Sequence, residues 1–223
     1  MNLKAIVGLV VQTLLAFGIA LAGWGFDDLR GFLAHPARAG LLVVGLATLA
    51  WVLASRLDVQ IFRRGARPVG WQRFGLLLLI LFGILLIFYL PYADRRSLLV
   101  FSGADFLRYV GLGLYTVGNI VAFLAVRTLG RQYSGYVTLQ EGHRLVTDGI
   151  YGVIRHPIYL RLLLVSLGLP LVFRSRLCLP LLILGALFAG YRISREEKLL
   201  AESFGEPYLA YRKRTRGIIP FVY

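Results

Sequence analysis

Cysteine is almost absent from this chain, and the lone Cys178 excludes an intramolecular disulfide. It has no cysteine or histidine partner at metal-ligand spacing, so no metal is expected, and its place inside an apolar run reads as packing. Acidic residues are also scarce, 11 against 25 Lys and Arg, leaving a formal charge of +14. In a soluble chain that excess would suggest nucleic acid, but here many of the cations flank apolar runs, where they set orientation and meet anionic headgroups, so no nucleic-acid partner is expected. The spans have no charge near their centres and no broken helix pair in matching halves, which weakens a transporter reading. No internal repeat or low-complexity linker divides the chain, so residues 1–223 read as one membrane domain.

What the chain does contain is apolar sequence. Hydrophobic residues make up 58% and charged residues 16%, with a mean hydropathy of +0.72. The fold class is therefore all-α, a polytopic integral membrane bundle. Four apolar spans fall within residues 1–130: Ala5 to Trp24, Ala39 to Leu53, Phe74 to Leu90 and Tyr109 to Val126. The first ends in Ala20-Leu21-Ala22, similar to a signal-peptidase site, but the run is longer than a signal's apolar core of roughly 7–15 residues and reads as an uncleaved helix. Arg38 and Arg56 are expected to extend the short second span by snorkelling. His35-Pro36 before it reads as a helix start only. Pro91 is expected to end the third span, and Asn119 in the fourth to bond between helices. In residues 131–223, Pro157 to Phe173 and Leu177 to Tyr191 form a helical hairpin closed by Arg174-Ser175-Arg176, which brings the expected total to about six transmembrane segments.

Cation counting then fixes an expected orientation. Six crossings with both termini cytoplasmic place Lys4, Arg56, Arg63, Arg64, Arg67, Arg73, Arg127, Arg131, Arg144, Arg155, Arg161 and the tail's cations inside. Only Arg30, Arg38, Arg95, Arg96, Arg108, Arg174 and Arg176 remain on the other face. Both ends of the hairpin, residues 145–159 and the tail after Tyr191, then share the cytoplasmic side.

Those two ends are the polar islands of the sequence. In LVTDGIYGVIRHPIY, Leu145 to Tyr159, proline pushes His156 out of the α region and suits the first position of a helix. The first N–H groups of that helix point back toward Gly149, Tyr151 and His156, where they can hold an anion. The alternative is an interfacial loop in which Arg155, His156 and Tyr159 anchor a span. The tail continues the last helix as an amphipathic segment. Arg192 and Glu196 are four apart on one face, and Leu200, Phe204, Tyr208 and Tyr211 follow at helical spacing. Its plain reading is a surface helix with an i,i+4 ion pair.

In order, the chain carries HRLVTDGIYGVIRHPIY, an apolar hairpin, Arg192 four residues before a Glu-Glu pair, and FGEPYLAY followed by basic residues and proline. Over roughly His143 to Phe221 this resembles the isoprenylcysteine carboxyl methyltransferase family, among the membrane methyltransferases that include phospholipid N-methyltransferases. The resemblance implies an S-adenosylmethionine-dependent enzyme whose cofactor enters from the cytoplasm while a lipidic small-molecule acceptor enters from the bilayer. By position, His143, Leu145, Val146, Tyr151, His156, Pro157, Ile158 and Tyr159 would line the cofactor, joined by Gln140, Glu196 and Glu197. Arg192 and Glu196 carry over as the catalytic pair, with Arg192 holding the acceptor. One departure is Arg161, where such proteins usually have glycine. A cation there bears on the lipid entrance and makes Arg161 a second acceptor contact. The acceptor itself stays open between a prenylated cysteine's carboxylate, a phospholipid amine and a small thiol. Rival readings are an NADPH-dependent enzyme similar to sterol reductases, from the IIPFVY tail, and a non-catalytic membrane protein or transporter.

Overall fold

A computed structural model describes residues 3–55, 70–130 and 145–218. Among the described residues all regular structure is helical: α1 (Leu3–Trp24), α2 (Leu29–Ala34), α3 (Pro36–Ala54), α4 (Gly70–Arg95), α5 (Phe106–Leu129), α6 (Pro157–Val172), α7 (Cys178–Phe204) and α8 (Glu206–Arg214), with two short 3-10 turns. Four of them, α1, α3, α5 and α7, are long and apolar enough to cross a membrane. Their apolar side chains face outward, as lipid-facing side chains do, with Leu14, Leu15, Val43, Val117 and Leu187 exposed. α6 has 16 residues, about 24 Å at 1.5 Å per residue.

Local chemistry explains the boundaries. His35 caps α3, its Nδ1 accepting from the Ala37 N–H at 3.2 Å, and Pro36 opens the helix. His156, at φ −127° and ψ 57°, lies outside the α region, and Pro157 opens α6. Pro91, however, does not end the fourth helix, which runs on to Arg95. Leu90, Pro91, Ala93 and Asp94 are all buried there, and that packing offsets the backbone bond that proline removes. Asn119 donates to the Tyr115 carbonyl of its own helix at 2.8 Å, where a bond between helices was expected. Arg38 does not snorkel either. It is buried and donates to the carbonyls of Phe32 and Gly31, each one turn or more back, and to Asp94. The tail is not one continuous helix: α7 stops at Phe204, Gly205 takes φ +57°, and α8 starts in a new direction with Pro207 in its first turn.

The tightest packing joins α5 to α6. A Cβ built on Gly111 would lie 2.5 Å from the Val172 nitrogen and 2.6 Å from the Gly168 carbonyl oxygen, so the two backbones touch where only glycine fits. Gly111→Ala should destabilise the protein by about 1–3 kcal/mol. Gly113→Ala, where nothing lies within 4 Å, should be neutral or slightly stabilising. Thermal unfolding of the two variants in detergent checks the contrast, and equal melting of both would refute the contact.

Two polar clusters lie at opposite ends of α6. At its C-terminal end Asp94 of α4 meets Arg38 of α3, Arg108 of α5 and Arg174 of the α6–α7 turn, next to a core of Trp24, Phe32, Ala37, Leu41, Leu90, Val172 and Phe173. The other cluster, at Pro157, is the candidate site.

Candidate active site at the open end of the hairpin

The site is assembled by the chain pairing with itself on both sides of the hairpin. After the 3-10 turn Gly149–Gly152, the backbone of residues 153–156 runs beside the end of the tail. Arg216 N–H donates to the Val153 carbonyl, Arg155 N–H to the Arg216 carbonyl at 2.8 Å, and His156 N–H to the Gly217 carbonyl at 3.0 Å. This brings α8 against the 3-10 turn, where the buried Tyr211 hydroxyl donates to the Tyr151 carbonyl at 2.7 Å. Burial pushes the pKa of that hydroxyl up to about 12, so it remains a donor.

Glu197, on α7, is the hub of the cluster. Its Oε1 accepts from Arg155 Nε at 3.0 Å and lies 3.2 Å from His156 Nε2, and its Oε2 is 3.4 Å from Arg212 of α8. Arg155 also donates to the carbonyls of Arg212 and Thr215. One carboxylate thus ties the start of α6, the middle of α7 and the end of α8 in a partly buried setting, where charge-assisted bonds are stronger than at an open surface.

One turn into α6, Tyr159 reaches across to α7. Its hydroxyl donates to Glu196 Oε2 at 3.1 Å and lies 3.4 Å from Arg192 Nε, which donates to it. Arg192 and Glu196, four residues apart on one helix, are therefore linked through a phenol from the opposite helix. The His156 and Tyr159 rings are 5.8 Å apart.

Of the residues expected to form a site, the structure brings together Tyr151, His156, Pro157, Tyr159, Arg192, Glu196 and Glu197. Ile158 follows Pro157 in the first turn of α6, and Leu145 and Val146 lie in the non-helical segment leading to the 3-10 turn. Gln140 and His143 lie outside the described residues. Arg161 sits in α6, two residues after Tyr159, with its backbone carbonyl beside Gly118 of α5. Sequence reasoning missed Arg212 and Thr215 as contacts of Arg155, and it read Tyr208 and Tyr211 as continuing the helical spacing of Leu200 and Phe204 in an amphipathic surface helix. Both tyrosines are buried against the protein because α8 turns back at Gly205.

The fold and the site define a polytopic helical membrane protein whose polar site is closed by its own C-terminal tail. Residues 111–202 match the isoprenylcysteine carboxyl methyltransferase family. The protein-S-isoprenylcysteine O-methyltransferase of Dictyostelium discoideum is 30% identical over 212 residues, 88% of this chain and 80% of that protein. The chain belongs to the isoprenylcysteine carboxyl methyltransferase family. A probable protein-S-isoprenylcysteine O-methyltransferase of Oryza sativa subsp. indica is 33% identical over 125 residues, 52% of this chain and 63% of that protein, so the match spans less than two thirds of that relative. The fold is similar to the solved structure of the eukaryotic intramembrane Ras methyltransferase, isoprenylcysteine carboxyl methyltransferase, without a monobody. The TM-score is 0.58 at 22% identity, covering 93% of this chain and 73% of that one.

Proposed function

We propose that the protein is an S-adenosylmethionine-dependent methyltransferase acting at the membrane surface on a lipidic acceptor, the carboxylate of a prenylated cysteine. The observation that carries this reading is Tyr159, whose hydroxyl joins Glu196 to Arg192 across the mouth of the hairpin. Family membership supplies the reaction class, and the relatives' names supply the acceptor.

The residues suit the methyl donor. Tyr151 and Tyr159 offer aromatic faces to a cation, and Glu196 offers a carboxylate to an amine or a ribose hydroxyl. When bound, S-adenosylmethionine supplies a methyl group on a positively charged sulfur. An acceptor carboxylate needs no base to receive it, so the protein's task is to position the reactants and exclude water. Tyr159 holds the Arg192 guanidinium, and Arg192 orients the carboxylate with its planar fork. The Glu197 hub holds α6, α7 and α8 in place around them. The apolar outer faces of α6 and α7 leave the prenyl chain in lipid while its head reaches Arg192. Gln140, His143, Leu145, Val146, Ile158 and Pro157 complete the cofactor's surroundings in this reading, and Arg161 is a further acceptor contact.

Isothermal titration of detergent-solubilised protein tests this function. S-adenosylhomocysteine should bind and NADPH should not, and His156→Ala or Glu196→Ala should abolish that binding with the fold intact. A wild-type protein that binds NADPH instead, or binds no S-adenosylhomocysteine at millimolar concentration, rules the reading out.

The site and both termini face the cytoplasm in this proposal. The two polar clusters support it: every arginine around Asp94 belongs to the cation-poor face, while Arg155 and Arg212 belong to the cation-rich one. Reporters active only in the cytoplasm, fused after Tyr223 or inserted between Arg56 and Arg73, should both be active. Silence at either position contradicts the topology.

A further inference from the structure

From Glu197 to Phe204, α7 carries the chain about 10 Å further from its apolar part. After Gly205 the chain comes back. Arg212 Nη2 lies 3.4 Å from Glu197 Oε2, and the backbone of Arg216 and Gly217 pairs with Val153, Arg155 and His156, the residues that lead into Pro157 and α6. This return sorts the charges. Glu202, 3.9 Å from Lys198, and Glu206 stay at the far tip, while Arg212, Lys213, Arg214 and Arg216 come down to the level at which α6 enters the apolar layer.

The same return decides how this face meets a membrane. Tyr208 and Tyr211 are buried in the protein, and Leu209 is the one exposed large apolar side chain of α8. The helix therefore lacks the apolar face that an inserted surface helix needs. What it offers instead is charge. Arg212 has Glu197 as a partner, but Lys213, Arg214 and Arg216 are exposed and make no ion pair among the described residues. Cations held at headgroup level attract anionic phosphate by charge alone.

We propose that Lys213, Arg214 and Arg216 bind the anionic headgroups of the surrounding lipid, and that this contact holds the tail closed over the candidate site. Arg216 joins the two halves of the proposal. Its side chain is exposed, while its N–H and carbonyl make two of the three backbone bonds that tie the tail to residues 153–156. Lipid that binds the closed tail and not the open one shifts the balance toward closure by mass action. Where the methyltransferase reading above holds, affinity for the donor rises with the anionic lipid fraction, but the contact itself does not rest on that reading.

Amide hydrogen exchange on the full chain tests it, in nanodiscs of phosphatidylcholine alone or mixed with phosphatidylserine. The amides of Arg155, His156 and Arg216 make the three bonds in question. In wild type they should exchange on the order of 10-fold more slowly in the anionic nanodiscs, and salt at about 1 M should erase the difference. The triple variant Lys213→Gln, Arg214→Gln, Arg216→Gln keeps every backbone bond and should exchange alike in both lipids, with slow exchange of the α5 amides reporting that it is folded. The lipid and salt comparisons on wild type stand without it. Equal exchange of wild type in both lipids would overturn the proposal and leave these cations to an acidic protein partner; a lipid effect that survives in the folded triple variant would overturn it too. Wild-type protein that shows the lipid effect yet binds no S-adenosylhomocysteine would uphold the contact and remove the methyltransferase reading alone.

Discussion

Arg192→Ala should lower methyl transfer by on the order of 10²-fold while leaving affinity for S-adenosylhomocysteine within a few-fold, the pattern expected when one positioning contact is lost. Arg192 stands one helical turn before Glu196, nearer the apolar part of α7, where a guanidinium is expensive unless it meets an anion. Its Nε is spent on the Tyr159 hydroxyl, which fixes the plane of the fork. Arg192→Lys should rescue activity only in part, because an ammonium can occupy the same place but cannot present two parallel donors. Tyr159→Phe frees both Arg192 and Glu196 from their shared phenol, so it should lower turnover and weaken cofactor binding together. Turnover and titration measured on all three variants separate these effects. If Arg192→Ala abolishes cofactor binding, or leaves transfer unchanged, the acceptor site lies elsewhere, with Arg161 the next residue to replace.

The helices were legible because membrane helices declare themselves by apolar length, and the hairpin because Arg174-Ser175-Arg176 interrupts two such runs. His35 and His156 could be placed from the proline that follows each. The convergence of the 145–159 segment with the tail was also readable, through cation sidedness and the spacing of Arg192 and Glu196. Contacts that depend on direction were not readable. Helical spacing puts Tyr208 and Tyr211 in line with Leu200 and Phe204, but a single positive φ at Gly205 turns them into the protein. Pro91 looked like a helix end because its cost is local, while the burial that offsets it comes from α1 packed on α4 and from the core of Trp24, Phe32, Leu41 and Phe173 around Leu90. Asp94 drew no attention in the sequence, one acid between a proline and two arginines, since the three arginines that surround it come from positions 38, 108 and 174.

Asp94→Ala should be the most destabilising single change outside the site, by about 3–5 kcal/mol, with cofactor affinity in the folded fraction unchanged. The Asp94 side chain is 0% exposed and accepts from Arg108 Nη1 at 2.7 Å and Nη2 at 2.8 Å, from Arg38 at 3.0 Å and from Arg174 at 3.3 Å. Removing it leaves three guanidiniums crowded together, two of them buried, with only the exposed Asp105 nearby among the described residues to offset them. The apparent melting temperature should drop by on the order of 10 °C. The arginines should rank by burial and bonding. Arg108→Ala should cost the most, since Arg108 also holds the Val172 carbonyl at the end of α6, and Arg38→Ala should come next. Arg174→Ala should cost the least, because its side chain is the most exposed of the three and its contacts are the longest. Cofactor binding should persist in every variant that still folds, since α6 separates this cluster from Tyr159 by most of its 16 residues. Melting curves and S-adenosylhomocysteine titrations on the four variants test both halves of the expectation. An Asp94→Ala protein that melts with wild type would show that the bundle is held by its apolar and glycine contacts alone.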